Sequence, residues 1–151
     1  MTAIYVDGDA CPVRSEVYRV ASRLDLKVFV VCNGSRPIPP PREPNVSLIL
    51  VGDGADAADD WIAERIGGTD VCVTADIPLA ARCLAKGARA LAPNGKAWTP
   101  DNIGNAVAGR EIARHLRAIG VATGGPAPFA RADKSRFLDA LDRAVRAARR
   151  G

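Results

Sequence analysis

Five aspartates stand at positions where their carboxylates could gather into one acidic site. Asp7 and Asp9 follow the apolar run Ala3–Val6, and Asp76 follows a second apolar run that ends at Thr74. Sites in open parallel sheets form beyond the carboxyl ends of the strands, so these aspartates can meet at one edge. Each aspartate alone is more often a turn or helix-capping residue, but their predicted convergence indicates a shared site.

Asp56 and Asp59 add two carboxylates from the start of a predicted helix. At roughly 100° per residue, Asp59 lies at the border of the apolar stripe of that helix, and Asp56 lies roughly 60° further round. A carboxylate beside a core face is costly unless it is paired or bound to a metal. Asp60 projects towards solvent, whereas Asp53 could join the site or simply shape a turn.

Carboxylates that are held close together repel one another. They stay ionised only if a cation neutralises them, or the pKa of one of them rises. Oxygen-only ligands favour Mg²⁺ or Mn²⁺ over zinc, and such ions typically drive phosphoryl transfer. The single histidine, His115, argues against a His/Cys zinc site and against a Ser-His-Asp triad.

Charge is distributed unevenly along the chain. Residues 1–76 carry 7 Lys/Arg and 12 Asp/Glu, which gives a net charge of −5. Residues 77–151 carry 14 Lys/Arg and 5 Asp/Glu, which gives a net charge of +9. An acidic cluster that faces a basic surface suits a metal-dependent enzyme acting on polyphosphate chains. A solvated, arginine-rich final helix without a partner would produce the same asymmetry.

Strands alternate with helices through Leu91, which predicts an α/β fold with a parallel sheet of about five strands and helices on both faces. The expected strand order is 3-2-1-4-5. The predicted strands are Ala3–Val6, Leu26–Cys32, Val46–Val51, Asp70–Thr74 and Ala88–Leu91, and the intervening helices run from Cys11 to Leu24, from Asp56 to Ile66 and from Pro78 to Gly87.

Past Leu91 the pattern becomes helical. It predicts a helix over Pro100–Ile119 and a last helix from about Asp133, with Phe137, Leu138, Leu141 and Val145 as its buried stripe. We interpret residues 1–151 as a single domain, with an α/β core at 1–92 and a C-terminal helical extension at 93–151 packed on it.

The remaining features place the chain among cytoplasmic proteins. No apolar stretch is long enough to cross a bilayer, so we expect no membrane association, and the start of the chain lacks the pattern of a signal peptide. The four cysteines form no CxxC pair and are expected to be small buried hydrophobic residues. Their positions are Cys11, Cys32, Cys72 and Cys83.

Four motifs are spread in order over essentially the whole chain: Val6–Pro12, Gly54–Asp59, Thr74–Ala80 and Thr123–Pro126. They resemble those of the YaiI/YqxD family of uncharacterised bacterial proteins. This family is grouped with PIN-like domains, which are metal-dependent ribonucleases related to FLAP nucleases. The resemblance implies that Asp7, Asp9, Asp59 and Asp76 occupy the acidic positions of a PIN-like site.

The leading hypothesis is therefore a Mg²⁺- or Mn²⁺-dependent nuclease, with RNA favoured over DNA. Asp7, Asp59 and Asp76 would hold the metal, and Asp9 or Asp56 would hold a second metal or orient the attacking water. The candidate substrate contacts are Asn33, Thr74, Lys96, Arg131 and Lys134. For Asn33 and for Asn94-Gly95, a plain turn role is the alternative.

Two other functions fit the same residues. One is a non-catalytic module that grips nucleic acid or a protein on a nuclease-like fold. The other is a phosphohydrolase that acts on a small phosphate ester, for which a closed pocket would replace an open groove.

Overall fold

The computed structural model describes residues 2–8, 11–34, 38–52, 56–104 and 131–150. Five strands form its centre: β1 (Ala3–Asp7), β2 (Lys27–Cys32), β3 (Val46–Leu50), β4 (Val71–Val73) and β5 (Arg89–Leu91). All pair in parallel in the order β3-β2-β1-β4-β5. The predicted α/β class and strand order are confirmed.

Strand β1 lies in the middle of the sheet between β2 and β4. Val6 is the register partner of Val30 in β2 and of Val73 in β4. Because these strands are parallel, their carboxyl ends meet at the same edge of the sheet. Asp7, the last residue of β1, therefore lies beside the residues that follow β4.

Helices cover both faces of the sheet, because the strands are apolar on both sides. They are α1 (Arg14–Leu24), α2 (Ala57–Arg65), α3 (Ile77–Ala85) and α4 (Arg131–Arg149). Helices α1 and α4 pack with Ile4 and Val6 on one face, whereas α2 and α3 pack with Tyr5 and Cys72 on the other. Successive residues of a strand point to opposite faces, which explains how Tyr5 joins a different core from its neighbours.

Helix α4 runs parallel to α1 and in the same direction. Arg23 near the end of α1 pairs with Asp142 at 3.0 Å, and Glu16 in its first turn lies 3.9 Å from Lys134. The first turns of both helices therefore lie at the carboxyl edge of the sheet. The predicted stripe of α4 is confirmed for Phe137, Leu141 and Val145, which are buried, while Leu138 is partly buried against the same core.

Several predicted boundaries differ slightly from the structure. Helix α2 begins at Ala57, because Asp56 has non-helical backbone angles and is its N-cap. Helix α4 is described from Arg131, two residues before the predicted start. Residues 100–104 are helical, and the rest of the predicted helix Pro100–Ile119 lies outside the described residues, as do the motif 123–126 and His115.

The cysteines are all free thiols. Cys32, Cys72 and Cys83 are buried, as expected, and Cys11 is partly buried. Among the described residues, no helix is long and apolar enough to cross a membrane.

A glycine fixes the contact between the turn after β5 and helix α4. Gly95 has a φ of +91°, and a Cβ at this position would lie 2.8 Å from the carbonyl carbon of Arg136. Side chains are disfavoured at positive φ, and the backbone of α4 leaves no room for one. Gly95 therefore allows this turn to approach α4 closely.

We expect Gly95→Ala to lower the free energy of unfolding by about 2 kcal/mol. An alanine at positive φ costs about 1–2 kcal/mol, and the backbone of α4 must also shift. Gly68→Ala is the control, because an added Cβ there would meet only the carbonyl oxygen of Gly87 at 3.9 Å. Its effect should stay below about 0.5 kcal/mol. Urea unfolding measures both changes, and equal losses in the two variants would contradict this account of Gly95.

Candidate active site at the carboxyl edge of the sheet

A chain of hydrogen bonds joins the ends of β1 and β4. The hydroxyl of Thr74 donates to Oδ2 of Asp7 at 3.0 Å and accepts from the backbone N–H of Asp76 at 2.9 Å. A single hydroxyl thereby fixes the spacing between Asp7 and Asp76. The parallel pairing of β1 with β4 brings these residues together, since each stands at or just after the end of its strand.

Thr74 is itself held rigidly in the interior. Its side chain is only 2% exposed. Its N–H donates to the carbonyl of Leu91 at 2.9 Å, and its carbonyl accepts from Nε1 of Trp98 at 3.0 Å. The buried hydroxyl of Thr74 thus positions Asp7 and the backbone of Asp76, rather than offering a surface for substrate.

Trp98 is a supporting residue that the sequence analysis did not identify. Trp98 follows the turn at Asn94-Gly95, and its indole N–H donates to the carbonyl of Thr74. The preceding residue, Ala97, forms an isolated antiparallel bridge with Leu91 at the end of β5. A buried tryptophan usually finds a hydrogen-bond partner for its N–H. That rule predicts that the indole N–H of Trp98 has a hydrogen-bond partner, but only the fold shows that the partner is the carbonyl of Thr74.

Asp76 also serves as the N-cap of α3. Its Oδ1 accepts from the N–H of Leu79 at 2.9 Å, and Pro78 occupies the first turn of the helix. Capping satisfies an amide that the helix leaves without an internal partner. Asp56 occupies the same position at the start of α2, but its carboxylate makes no capping hydrogen bond and is exposed. The helix cap thus uses one carboxylate oxygen of Asp76, whereas Asp56 uses neither of its carboxylate oxygens to cap its helix.

Asp59 lies in the first turn of α2 and is half-buried. Burial, and then the negative charges of Asp76, Asp7 and Asp56, together raise the pKa of its carboxyl from the ordinary 3.8 to about 6. Arg82 acts in the opposite direction. Three of the other predicted catalytic aspartates, Asp7, Asp56 and Asp76, therefore lie within electrostatic reach of Asp59.

Arg82 is tied to the neighbouring Asp60 rather than to the acidic cluster. Its Nη1 lies 2.8 Å from Oδ1 of Asp60, and both side chains are about half exposed, at 45% and 53%. Exposed ion pairs of this kind contribute little to stability. Asp60 thus occupies the solvent-facing position expected for it, and the pair borders the acidic cluster.

The donor atoms of the cluster fit a hard divalent cation, because all are carboxylate oxygens and their mutual repulsion is only weakly offset. Their positions do not form a ready coordination shell. Within the described part of the chain, no group of three His, Cys, Asp or Glu side chains is arranged to hold an ion. Asp9, the fifth predicted member, lies outside the described residues, as does Asp53.

The predicted substrate contacts lie around the same edge. Asn33 follows β2, next to the end of β1, and is partly buried. Lys96 is exposed in the turn after β5, where its N–H donates to the side chain of Asn94. Lys134 is exposed near Glu16. Arg131 begins α4, but its side chain lies outside the described residues.

We expect Asp59→Asn to stabilise the metal-free protein at pH 8 but not at about pH 4. Between the unfolded pKa of 3.8 and the folded value of about 6, the folded state binds more protons than the unfolded state. The free energy of unfolding of the wild type therefore falls as pH rises through this window, and the full penalty is present above it. The asparagine removes this titration. Thermal unfolding in the presence of a chelator, at both pH values, measures the difference.

Asp60→Asn is the control for this prediction, since it removes the adjacent carboxylate on the same helix. Asp60 is exposed and paired with Arg82, so its loss should cost at most about 1 kcal/mol and should give no gain at pH 8. A wild type and an Asp59→Asn variant with the same melting temperature at every pH would show that Asp59 is not electrostatically frustrated.

Comparison with known proteins identifies the relatives of this chain. A family model described as "Uncharacterized BCR, YaiI/YqxD family" matches residues 5–147. A UPF0178 protein of Rhodospirillum rubrum is 54% identical over 149 residues, which cover 98% of both chains. UPF0178 proteins of Paramagnetospirillum magneticum and Ruegeria pomeroyi are also 54% identical, and cover 99% of this chain and 98% and 97% of their own. No solved structure matches. The chain therefore belongs to the YaiI/YqxD family.

Proposed function

We propose that this protein is a cytoplasmic, Mg²⁺- or Mn²⁺-dependent nuclease that hydrolyses phosphodiester bonds, with RNA favoured over DNA as substrate. The observation that supports this most strongly is Asp59, a half-buried carboxylate whose pKa is raised by burial and by three other aspartates. Stability alone does not favour such an arrangement, because each negative charge raises the cost of the next. Unfavourable clusters of titratable groups are typical of functional sites.

Asp7, Asp59 and Asp76 would hold the metal, and Asp56 or Asp9 would hold a second ion or orient water. The bound cation would neutralise the cluster and supply a polarised water for attack on phosphorus. Asp76 commits Oδ1 to the cap of α3, so its second carboxylate oxygen would serve as the ligand. Thr74 would keep Asp7 oriented through its hydroxyl.

The charge state of Asp59 would couple cation binding to pH. A metal ligand must be deprotonated, and the pKa of Asp59 is raised to about 6 in the absence of a cation. Below that pH a proton competes with the cation for this carboxylate, so affinity should fall in acid. Above it, the cation would relieve the repulsion from Asp76 and Asp7.

A non-catalytic nucleic-acid-binding module is the second candidate. One observation favours it: the described acidic side chains are not arranged to share a single ion. In that case the edge of the sheet would serve for binding, and the carboxylates would shape the surface without taking part in chemistry.

We expect the wild type to bind Mn²⁺ and to cleave a single-stranded RNA, and Asp7→Asn and Asp59→Asn each to lose both properties. Removing one anionic ligand weakens the site and removes the charge that the cation must balance. Asp60→Asn is the matched control and should keep both, because Asp60 pairs with Arg82 outside the cluster. Calorimetry measures cation binding, and gel analysis of end-labelled RNA measures cleavage.

The outcomes separate the two candidates. Binding of RNA by the wild type without cleavage in either Mg²⁺ or Mn²⁺ would favour the binding module. Equal cation affinity in the wild type and in both aspartate variants would remove the basis for the nuclease.

The first turn of α4 should contribute phosphate contacts. We expect the double variant Arg131→Gln/Lys134→Gln to bind RNA more weakly and to flatten the plot of log K against log salt by about 0.7 per lost contact. Lys86→Gln/Arg89→Gln is the matched control, because both residues are exposed at the opposite edge of the sheet, where Lys86 is the C-cap of α3 and Arg89 begins β5. The control should leave the slope unchanged. Equal slopes for the two double variants would exclude a specific role for α4.

A further inference from the structure

A cleft of about 330 Å³ lies between the start of α1 and the proline-rich segment that precedes β3. Its volume falls at the small end of the range for ligand pockets. Such a volume suits one nucleotide unit and excludes a duplex. The lining residues are Cys11, Pro12, Arg14, Ser15, Tyr18, Pro39, Pro40, Pro41, Arg42 and Glu43.

The lining combines two guanidinium groups with an aromatic ring and flat apolar surfaces. Arg14 and Arg42 stand on the two sides of the cleft, one from α1 and one from the proline-rich segment. Guanidinium groups bind phosphate through paired hydrogen bonds. Tyr18 and the prolines offer the kind of surface on which a base can stack. The cleft can therefore bind both halves of a nucleotide.

The electrostatic surroundings of Tyr18 show that its hydroxyl shares this space with charged groups. Burial raises the pKa of Tyr18, while the charge of Arg14 lowers it and that of Glu43 raises it. The phenol is therefore neutral at physiological pH and remains a hydrogen-bond donor. Glu43 contributes an acceptor, which could receive the N–H groups of a base.

The cleft adjoins the acidic cluster through Cys11. Burial raises the pKa of Cys11 to about 11, and the charges of Arg14 and Asp7 also act on this thiol, in opposite directions. Cys11 lines the cleft, and Asp7 belongs to the cluster. Only three residues separate Asp7, at the end of β1, from Cys11 in the cleft. A strand whose phosphodiester lies at the aspartates would therefore reach the cleft with a neighbouring nucleotide.

We propose that this cleft binds one nucleotide of a single-stranded substrate, with its phosphate on Arg14 and Arg42 and its base against Tyr18 and the prolines. The proposal rests on the proposed function, because it places the cleft next to the phosphodiester that would be cut. It predicts that the base in the cleft sets the preferred cleavage position. Duplex RNA is a poor substrate, since its paired bases cannot enter.

Nucleoside 5′-monophosphates test the cleft without requiring cleavage or metal. We expect them to bind the metal-free protein, and Arg14→Gln/Arg42→Gln to weaken binding about tenfold, equivalent to about 1.4 kcal/mol. Arg19→Gln/Lys27→Gln is the control, since it removes the same charge from exposed positions that do not line the cleft. Chemical-shift titration reports both the affinity and the residues that respond.

Inorganic phosphate and free nucleosides form separate arms of the same titration. Each should bind more weakly than the monophosphate, because each engages only half of the cleft. Tyr18→Leu should weaken the binding of the monophosphate and of the nucleoside, but not the binding of inorganic phosphate. Tyr18→Phe keeps the aromatic ring and should therefore retain most of the binding of all three. Melting temperatures confirm that both variants fold. Phosphate that binds as tightly as the monophosphate, or monophosphate binding that is unaffected by the paired arginine substitution, would overturn the proposal.

Cleavage assays keep this inference separate from the proposed function. A wild type that cuts RNA, and an Asp59→Asn variant that does not, would support the nuclease whatever the cleft does. Arg14→Gln/Arg42→Gln should then change the pattern of preferred cut positions while cleavage itself persists. Persistent cleavage with an unchanged pattern would reject the cleft alone.

Discussion

The pairing of β1 with β4 fixes the position of the acidic side chains on which the candidate site depends. Asp7 ends β1, and Thr74 follows β4 directly, so a single side-chain hydrogen bond can join them at 3.0 Å. Asp76 comes two residues later and begins α3. Any change of strand order would separate these residues, because only neighbouring parallel strands bring their carboxyl ends side by side.

This arrangement sets stability against function. The apolar cores on both faces stabilise the sheet, while the cluster at its edge gathers charges of one sign. The electrostatic cost is clearest at Asp59, because its carboxylate is half-buried on α2 and is repelled by three other carboxylates. The rest of the fold must offset that repulsion. Asp70 is a useful contrast, because its buried carboxylate accepts from the N–H groups of Ala3 and Gly67 and serves the fold directly.

Periodicity and strand-end position were sufficient to predict the sheet order and the neighbourhood of Asp7, Asp59 and Asp76. These features follow from local pattern and from the handedness of parallel connections. The internal bonds of the site were not predictable in the same way. Thr74 bonds to Asp7, 67 positions earlier in the sequence, and the indole of Trp98 bonds to the carbonyl of Thr74, 24 positions earlier. Such partners depend on tertiary approach, which no local pattern encodes.

The two faces of the sheet divide the roles at the carboxyl edge. Helices α2 and α3 contribute Asp56, Asp59 and Asp76 from one face, whereas the other face contributes the first turns of α1 and α4 with Lys134. The cleft beside Tyr18 also belongs to α1. The strand end at Asp7 lies between these two sides, so a bound chain that crosses the edge would meet base contacts on one side and carboxylates on the other. Under the proposed function, helix α1 would let recognition vary separately from chemistry, since its cleft residues are not members of the acidic cluster.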